Sequence, residues 1–199
     1  YPFRTYQKIE GDPLRELANV FTKLAKEGEG AALQIIARPA SGKWNSRLKH
    51  EAKKMYEGKK SEDAVLKTAR ALAGVKKAGT AVGGQLQPPP EPRKLTPLEE
   101  EMVKALEGKA SKPLFEANLR LVSSAAAMER AGAVLQGLKA VWGQFSDPNL
   151  NKFFAKEPGE RGLKALIFNF SFRNFDPKKR VILSTEELTS LFHFPNVAL

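Results

Sequence analysis

The chain has 199 residues and carries 33 Lys/Arg against 22 Asp/Glu, a formal net charge of +11. It has no cysteine, which excludes disulfide scaffolds, thiolate nucleophiles and Cys-ligated zinc sites. The sequence contains no run of about 18 apolar residues, the length that a membrane-spanning helix needs. Its 42% hydrophobic content predicts a folded core. Because the sequence begins with Tyr1 and not with Met, we expect it to be a piece of a longer protein.

Residues 1–78 predict a first α+β half. Asp12-Pro13 is a helix-start signal, and apolar residues at helical spacing follow it. Alternating apolar residues over 31–38 predict a strand. A charged helical stretch, broken near Gly58, is then predicted over 44–78.

Positive charge is concentrated between Ser41 and Thr80. This segment contains eleven Lys/Arg and four acids, which gives it a net charge of +7. Such a segment attracts polyanions: nucleic acid, anionic lipid or an acidic partner. With hardly any Asn or Gln, it favours contacts to phosphates over contacts to base edges. The alternative is a lysine-rich helix face that is only solvated. The candidate nucleic-acid-binding residues are Lys43, Arg47, Lys49, Lys53, Lys54, Lys59 and Lys60.

Residues 79–95, rich in Gly and Pro, predict a linker, and residues 96–199 predict a second α+β half. Thr96-Pro97-Leu98-Glu99 is a capping box that opens a helix. Strict alternation over 115–121 predicts a half-buried strand with one wet or partner-facing side. An amphipathic helix is predicted to follow, from Met128 to Phe145.

The last part of the chain predicts two strands and a helix. Phe168, Phe170 and Phe172 alternate with polar residues, which predicts a strand with the three rings inward. A short strand is predicted over 181–183. A second capping box at 184–187 then opens a short helix. We expect Leu188, Leu191 and Phe192 of this helix to pack on the sheet that the three phenylalanines build.

The order strand, helix, strand recurs in both parts. With wet faces on the strands, it predicts an α+β fold with antiparallel sheets and packed helices. The layout expected is ferredoxin-like, and it leaves open that the two halves are similar. The order of the strands does not follow from the sequence.

No pattern predicts an enzyme. The segment 74–80 has the glycine spacing of a phosphate-binding loop, but Thr80 stands where that loop needs lysine. His50 and His193 are the only histidines, which is too few for a three-histidine metal site. The run Glu99–Glu101 lies in a first helical turn, where the helix dipole already explains it. We therefore expect no catalytic residue, no metal and no cofactor.

Three parts of the chain carry a family resemblance, which is strongest over 183–188, Leu-Ser-Thr-Glu-Glu-Leu. They are 1–39 (with Tyr1–Tyr6, Asp12–Leu14 and Gly28–Pro39), Phe115–Val122, and 170–195 (with Phe170–Arg173 and Ile182–Pro195). In this order they resemble the region that precedes the motor domain in bacterial type IV secretion coupling-protein-like ATPases, the conjugative DNA-transfer (HerA/TraD-like) class. Ser41–Ala110 lies outside the resemblance.

The resemblance implies a non-catalytic accessory domain of a DNA-translocating ATPase, used for assembly or for substrate and DNA docking. Its implied location is the cytoplasm, at the inner face of the membrane. The implied partners are the ATPase motor domain of the same full-length protein, DNA, further copies of the chain and an anionic membrane surface. The family's ATP-binding residues match no position here. The alternative is a free-standing basic module that binds nucleic acid.

Overall fold

A computed structural model describes residues 1–9, 11–25, 27–57 and 95–193. These ranges hold six α-helices and one antiparallel sheet of three strands, so the predicted α+β class is confirmed. The ferredoxin-like layout, the two similar halves and the domain boundaries stay predictions, and residues 79–94 of the predicted linker lie outside the described ranges. In chain order the elements are α1 (Pro13–Thr22), β1 (Gly30–Pro39), α2 (Lys43–Tyr56), α3 (Pro97–Ala110), β2 (Leu114–Ser124), α4 (Met128–Val141), α5 (Glu160–Ser171), β3 (Val181–Ser184) and α6 (Thr185–Leu191).

The predicted helix starts are confirmed by side-chain caps. Asp12 accepts a hydrogen bond from the Leu14 N–H at 2.8 Å at the start of α1. At α3, the Thr96 hydroxyl accepts from the N–H of Glu99, whose carboxylate accepts from the N–H of Thr96. The same reciprocal box opens α6 with its cap at Ser184. Each box satisfies two backbone donors that a helix start would otherwise leave unpaired.

The sheet has the order β1–β2–β3, with the long strand β2 in the centre. β1 pairs with β2 along its whole length, from Gly30 opposite Ser124 to Pro39 opposite Phe115. β3 pairs only with the first residues of β2, 114–117. Within the described ranges, the rest of β2 therefore has a neighbouring strand on one side only.

One face of the sheet carries the core. Leu33 stands opposite Leu121 and Ile35 opposite Leu119, so apolar side chains line up across the two strands. Four rings cover this face, and Phe3 stacks on Phe153 with the ring centroids 3.9 Å apart. The buried residues of the cluster are Phe3, Ala117, Trp142, Phe145, Leu183 and Leu191.

The other face of β2, which was predicted to be wet or partner-facing, is not wet. Glu116, Asn118 and Arg120 are buried, although they are polar and alternate with the core residues. The physical reason is that each of them has partners there: Glu116 binds arginine side chains, and Asn118 bonds the backbone of Asp176 in the segment after α5. The Arg120 guanidinium donates to the carbonyls of Asn169 and Asn174 at the end of α5.

The predicted strand through Phe168, Phe170 and Phe172 is wrong, because these residues form the C-terminal end of α5. Their alternation coincides with a second, helical pattern in which residues 163, 166, 167 and 170 share one side. Leu188 and Leu191 consequently pack into the core cluster instead of onto a phenylalanine sheet. Phe192 is exposed.

Candidate nucleic-acid interface

Helix α2 carries the described part of the basic segment and is amphipathic. Its apolar side, with Leu48, Ala52 and Met55, packs against Val103 and Leu106 of α3. These residues lie three or four positions apart, which places them on one side of the helix. The basic side chains are thereby left on the remaining, solvent-facing surface.

The start of α2 is fixed to the neighbouring elements. The Asn45 side chain donates to the carbonyl of Ala110 at 2.9 Å and to that of Lys112 at 3.3 Å. It satisfies carbonyls that the end of α3 leaves without a helical partner. Just before α2, the N–H of Ala40 donates to the Leu114 carbonyl of β2. The basic helix is therefore anchored to both α3 and the sheet.

Five of the seven candidate residues lie on α2, which has one acid and a formal net charge of +4. Four of them are exposed, namely Lys43, Arg47, Lys49 and Lys53, and Lys54 is half-buried. Lys59 and Lys60 lie outside the described residues. The structure thus places the described candidates on one side of a single helix, and their role in binding stays a prediction.

Part of this charge is neutralised on the helix itself. Lys53 lies 3.8 Å from the carboxylate of Glu57, and Lys54 lies 3.3 Å from that of Glu51. In the described ranges, no acid pairs with the other three cations of α2. Exposed pairs at this spacing contribute little, so these lysines stay available to a stronger anion. The unpaired cations lie at the N-terminal half of α2, beside the sheet.

A second group of residues lies at this end of α2, and we call it the arginine–tryptophan cluster; of its members, Arg47 alone is among the predicted candidates. It consists of Arg38, Trp44, Arg47, Glu116 and Arg180. The guanidinium carbons of Arg47 and Arg180 lie 5.4 and 5.6 Å from the ring centroid of Trp44. Both distances are within the range of a cation–π contact.

Glu116 organises the arginine–tryptophan cluster. Its carboxylate accepts from Arg38 at 2.7 and 3.0 Å and from the Trp44 indole N–H at 3.1 Å, and the Arg180 Nε lies 3.2 Å away. Hydrogen bonds from Arg38, and to a lesser degree from Trp44, lower the pKa of Glu116, whereas burial opposes this shift. The carboxylate is therefore ionised at neutral pH and holds three donors in place.

The guanidinium groups of the cluster keep donors for a ligand. Arg38 uses its Nε and one Nη on Glu116, while half of its side chain is exposed. Its guanidinium carbon also lies 4.1 Å above the Phe175 ring. A guanidinium has five N–H donors, so several of them remain. One carboxylate among three arginines leaves this group with a net charge of +2.

The sequence contains a signal for part of the cluster. Arg38 and Glu116 are directly opposite each other in the ladder of β1 and β2. An opposite-charge pair on facing strands is favourable. This pair could be identified from the sequence if the register of β1 with β2 were known. Trp44 and Arg180 come from α2 and from the turn before β3, and only the tertiary fold brings them to Glu116.

The described ranges contain no group of three or more His, Asp or Glu residues that could hold a metal ion. His193 lies 3.3 Å from Asp12, and both side chains are partly buried. The segment 74–80, with the glycine spacing of a phosphate loop, lies outside the described residues. None of the helices described is long and apolar enough to cross a membrane.

Fold and surface together define an α+β domain with a basic face centred on a tryptophan. The whole chain, residues 1–199, matches the family model described as Domain of unknown function (DUF8128), so the chain belongs to this family. Comparison with curated proteins gave no match, and neither did comparison with solved structures. The family description carries no activity, so a function has to be argued from the surface itself.

Proposed function

We propose that this chain is a nucleic-acid-docking domain, whose contact surface is the exposed side of α2 and the adjoining arginine–tryptophan cluster. One observation carries the proposal: two guanidinium groups lie beside one half-buried tryptophan, and a third is bound to the carboxylate that also accepts from the tryptophan. The adjoining helix has more exposed cations than acids. Positive charge at fixed positions attracts a polyanion, and the anchored guanidinium groups lose little entropy when they bind.

The contacts we propose are to the phosphates. Arg47 and Arg180 already lie near the Trp44 ring, so this ring is not free to stack on a base. The cations of α2 are Lys and Arg, which pair with phosphate oxygens without reading sequence. The domain would therefore bind nucleic acid with little sequence preference and with a steep dependence on salt.

The test is a salt-dependent titration of labelled duplex and single-stranded DNA, starting at about 50 mM salt. In a first variant, Lys43, Arg47, Lys49 and Lys53 are replaced by Gln. We expect weaker binding to every sequence alike, and a salt slope reduced by up to about four units if all four side chains meet phosphates. Gln keeps the helical propensity of α2, so the fold is expected to survive.

A matched control replaces three lysines and one arginine elsewhere, Arg15, Lys23, Lys104 and Lys164, by Gln. It removes the same charge from exposed positions outside the proposed surface. Equal losses in both variants would mean that only net charge matters and would overturn the assignment of the surface. Absence of binding by the unmodified chain at low salt would overturn the nucleic-acid role. Binding to phosphatidylserine vesicles instead of DNA would assign the surface to a membrane.

The biological setting that we propose for this docking is an accessory role in a DNA-translocating ATPase of the type IV secretion class. The support is the resemblance stated above, whose stretches include β1, most of β2 and the β3–α6 unit, all parts of one sheet and its capping helix. In that setting the domain would lie in the cytoplasm at the inner face of the membrane, beside its motor domain and further copies of itself. A coding sequence that contains a phosphate-loop motor in the same polypeptide would support this role. A free-standing gene would favour an independent basic module.

A further inference from the structure

The central strand β2 has an open edge. β3 reaches only to the pair of Ala117 and Val181, whereas β2 continues to Ser124. On this side, residues 118–124 have no neighbouring strand within the described part of the chain. An unpaired strand edge offers backbone donors and acceptors to another extended chain.

The hydrogen bonds at the start of β2 identify the groups that the edge presents. The Thr185 N–H donates to the carbonyl of Pro113 on the β3 side, and the Ala40 N–H donates to the carbonyl of Leu114 on the β1 side. Since successive residues of a strand point these groups to opposite sides, the odd-numbered residues face β3. Further along, Leu119 and Leu121 therefore point N–H and C=O groups to the open side. Among the described residues none pairs with these groups.

A cleft of about 1050 Å³ lies against this edge. It is lined on one side by β2 and on the other by α4, the segment before α5, and α5 itself. Its apolar lining includes Leu135, Phe153, Leu163 and Leu166, of which Leu163 is 46% exposed. Apolar walls beside an open strand edge suit the alternating side chains of an added strand.

The charge around the cleft specifies the occupant further. Four lysines lie there, against the two acids Glu157 and Asp176. Lys139 pairs with Glu157, and Lys179 lies 4.0 Å from Asp176. Lys156 and Lys178 are exposed and have no acidic partner in the ranges described. A chain laid along this edge would meet unpaired positive charge.

We propose that this cleft binds an extended acidic peptide segment of a partner protein, added to the sheet as a strand beside β2. Its main chain pairs with Leu119 and Leu121, its apolar side chains enter the cleft, and its carboxylates reach Lys156 and Lys178. Main-chain pairing provides affinity, whereas the apolar walls and the lysines provide selectivity. The lining of the cleft includes no residue of the arginine–tryptophan cluster, so this proposal goes beyond the proposed function and does not rest on it.

The test uses a labelled capped peptide of alternating valine and glutamate, about six residues long, which matches a typical strand. A second peptide has the same side chains but N-methylated backbone amides at alternate positions, in both registers. We expect saturable binding of the first peptide by fluorescence anisotropy. N-methylation on the pairing edge should weaken binding about tenfold or more, because it removes hydrogen bonds that the open edge requires.

Variants of the protein test the lysines and the edge separately. Lys156→Gln with Lys178→Gln should weaken the acidic peptide several-fold, whereas Lys152→Gln with Lys164→Gln should leave it unchanged. In hydrogen-exchange measurements, the peptide should protect the amides of Leu119 and Leu121. The Gln variant of α2 should bind the peptide normally, which separates this proposal from nucleic-acid docking.

Three outcomes would overturn the proposal. One is that the acidic peptide does not bind, or binds no better than a valine–lysine peptide. Another is equal binding of the N-methylated peptides, which would show that no strand is added. The third is full protection of the Leu119 and Leu121 amides without any peptide, which would mean that the chain or a second copy already covers the edge.

Discussion

At the scale of single residues, Glu29 joins α1 to the rest of the molecule. Its carboxylate accepts two hydrogen bonds from Arg130, at 2.7 and 2.9 Å, and a third from the Ala25 N–H. Arg130 also donates to the carbonyl of Lys23 at the end of α1. These bonds, with those from Arg130 contributing most, lower the pKa of Glu29 from 4.5 to about 2.

The lowered pKa predicts an acid dependence of stability that Glu29→Gln should remove. A carboxyl with a folded-state pKa below its unfolded value stabilises the fold fully above about pH 4.5. That contribution is lost as the pH falls from there towards about 2. We expect the urea midpoint of the Gln variant to be lower at neutral pH and to depend less on pH in this window.

Glu101→Gln is the control for this experiment. Glu101 pairs with Lys8 at 3.3 Å, with more than half of each side chain exposed, so its contribution to stability is expected to be small. The Glu101 variant should keep the acid dependence of the unmodified chain. If the Glu29 variant keeps it as well, the contact with Arg130 is not the source of the acid dependence.

At the scale of elements, the end of α5 shows how that helix is attached. The backbone N–H of Arg173 donates to the carbonyl of Phe170, and the backbone N–H of Asn174 donates to that of Asn169. Together these two bonds form a Schellman motif. The same two carbonyls also accept from side chains of the sheet: that of Asn169 from Arg120, and that of Phe170 from Gln34 at 2.9 Å. A cation at a helix C-terminus is also favoured by the helix dipole.

The motif places Arg173 in the left-handed region, with φ 53°. Arg173→Gly should therefore stabilise the protein by about 0.5–1 kcal/mol, because glycine adopts this conformation without the steric penalty of a Cβ atom. The measurement is the free energy of unfolding in urea. Arg173→Ala keeps the penalty and removes the charge, so it should give no gain. A gain with Ala equal to that with Gly would show that charge, and not backbone conformation, is the cause.

At the scale of the whole molecule, one core joins elements from both ends of the described chain. Leu191 of α6 packs with Phe3, Trp142 and Leu183. Beside it, the Lys109 ammonium lies 2.9 Å from the carboxylate of Glu187. Burial lowers the pKa of Lys109, and Glu187 opposes this shift. The short helix α6 is therefore part of the core.

This position of Leu191 predicts a large effect of its truncation. Leu191→Ala should lower the free energy of unfolding by about 2–4 kcal/mol, the cost of removing a buried leucine and leaving a cavity. Met128→Ala provides the contrast, since Met128 is 84% exposed and should change stability by no more than about 0.5 kcal/mol. An unchanged urea midpoint for the Leu191 variant would contradict the packing described here.

The sequence predicts the elements that have a single strong signal. Capping residues locate the starts of α1, α3 and α6, and apolar alternation locates β1 and β2. It fails at α5, because short runs of alternating phenylalanines fit a strand and a helix equally well. Tertiary contacts decide between the two there, because the helix end supplies carbonyls to Arg120 and Gln34, two residues far away in the sequence.

The candidate site likewise has one part that the sequence predicts and one part that depends on tertiary contacts. The exposed cations of α2 are predicted from composition and helical spacing, since a charged side chain stays on the solvent side. The arginine–tryptophan cluster depends on the register of β1 with β2 and on the turn before β3. Neither is encoded in a short stretch of sequence. Lys59 and Lys60 remain predictions.

The pairing of β1 with β2 has a consequence for how the protein is made. Arg38 and its partner Glu116 are 78 residues apart, and the hydrogen bond from Phe3 to Glu187 spans 184. On a ribosome, β1 emerges long before the strand that completes it, and the core closes only after α6 has been synthesised. Contacts this distant slow folding and leave apolar strands exposed meanwhile. We therefore expect the nascent chain to depend on protection from aggregation until its last elements have emerged.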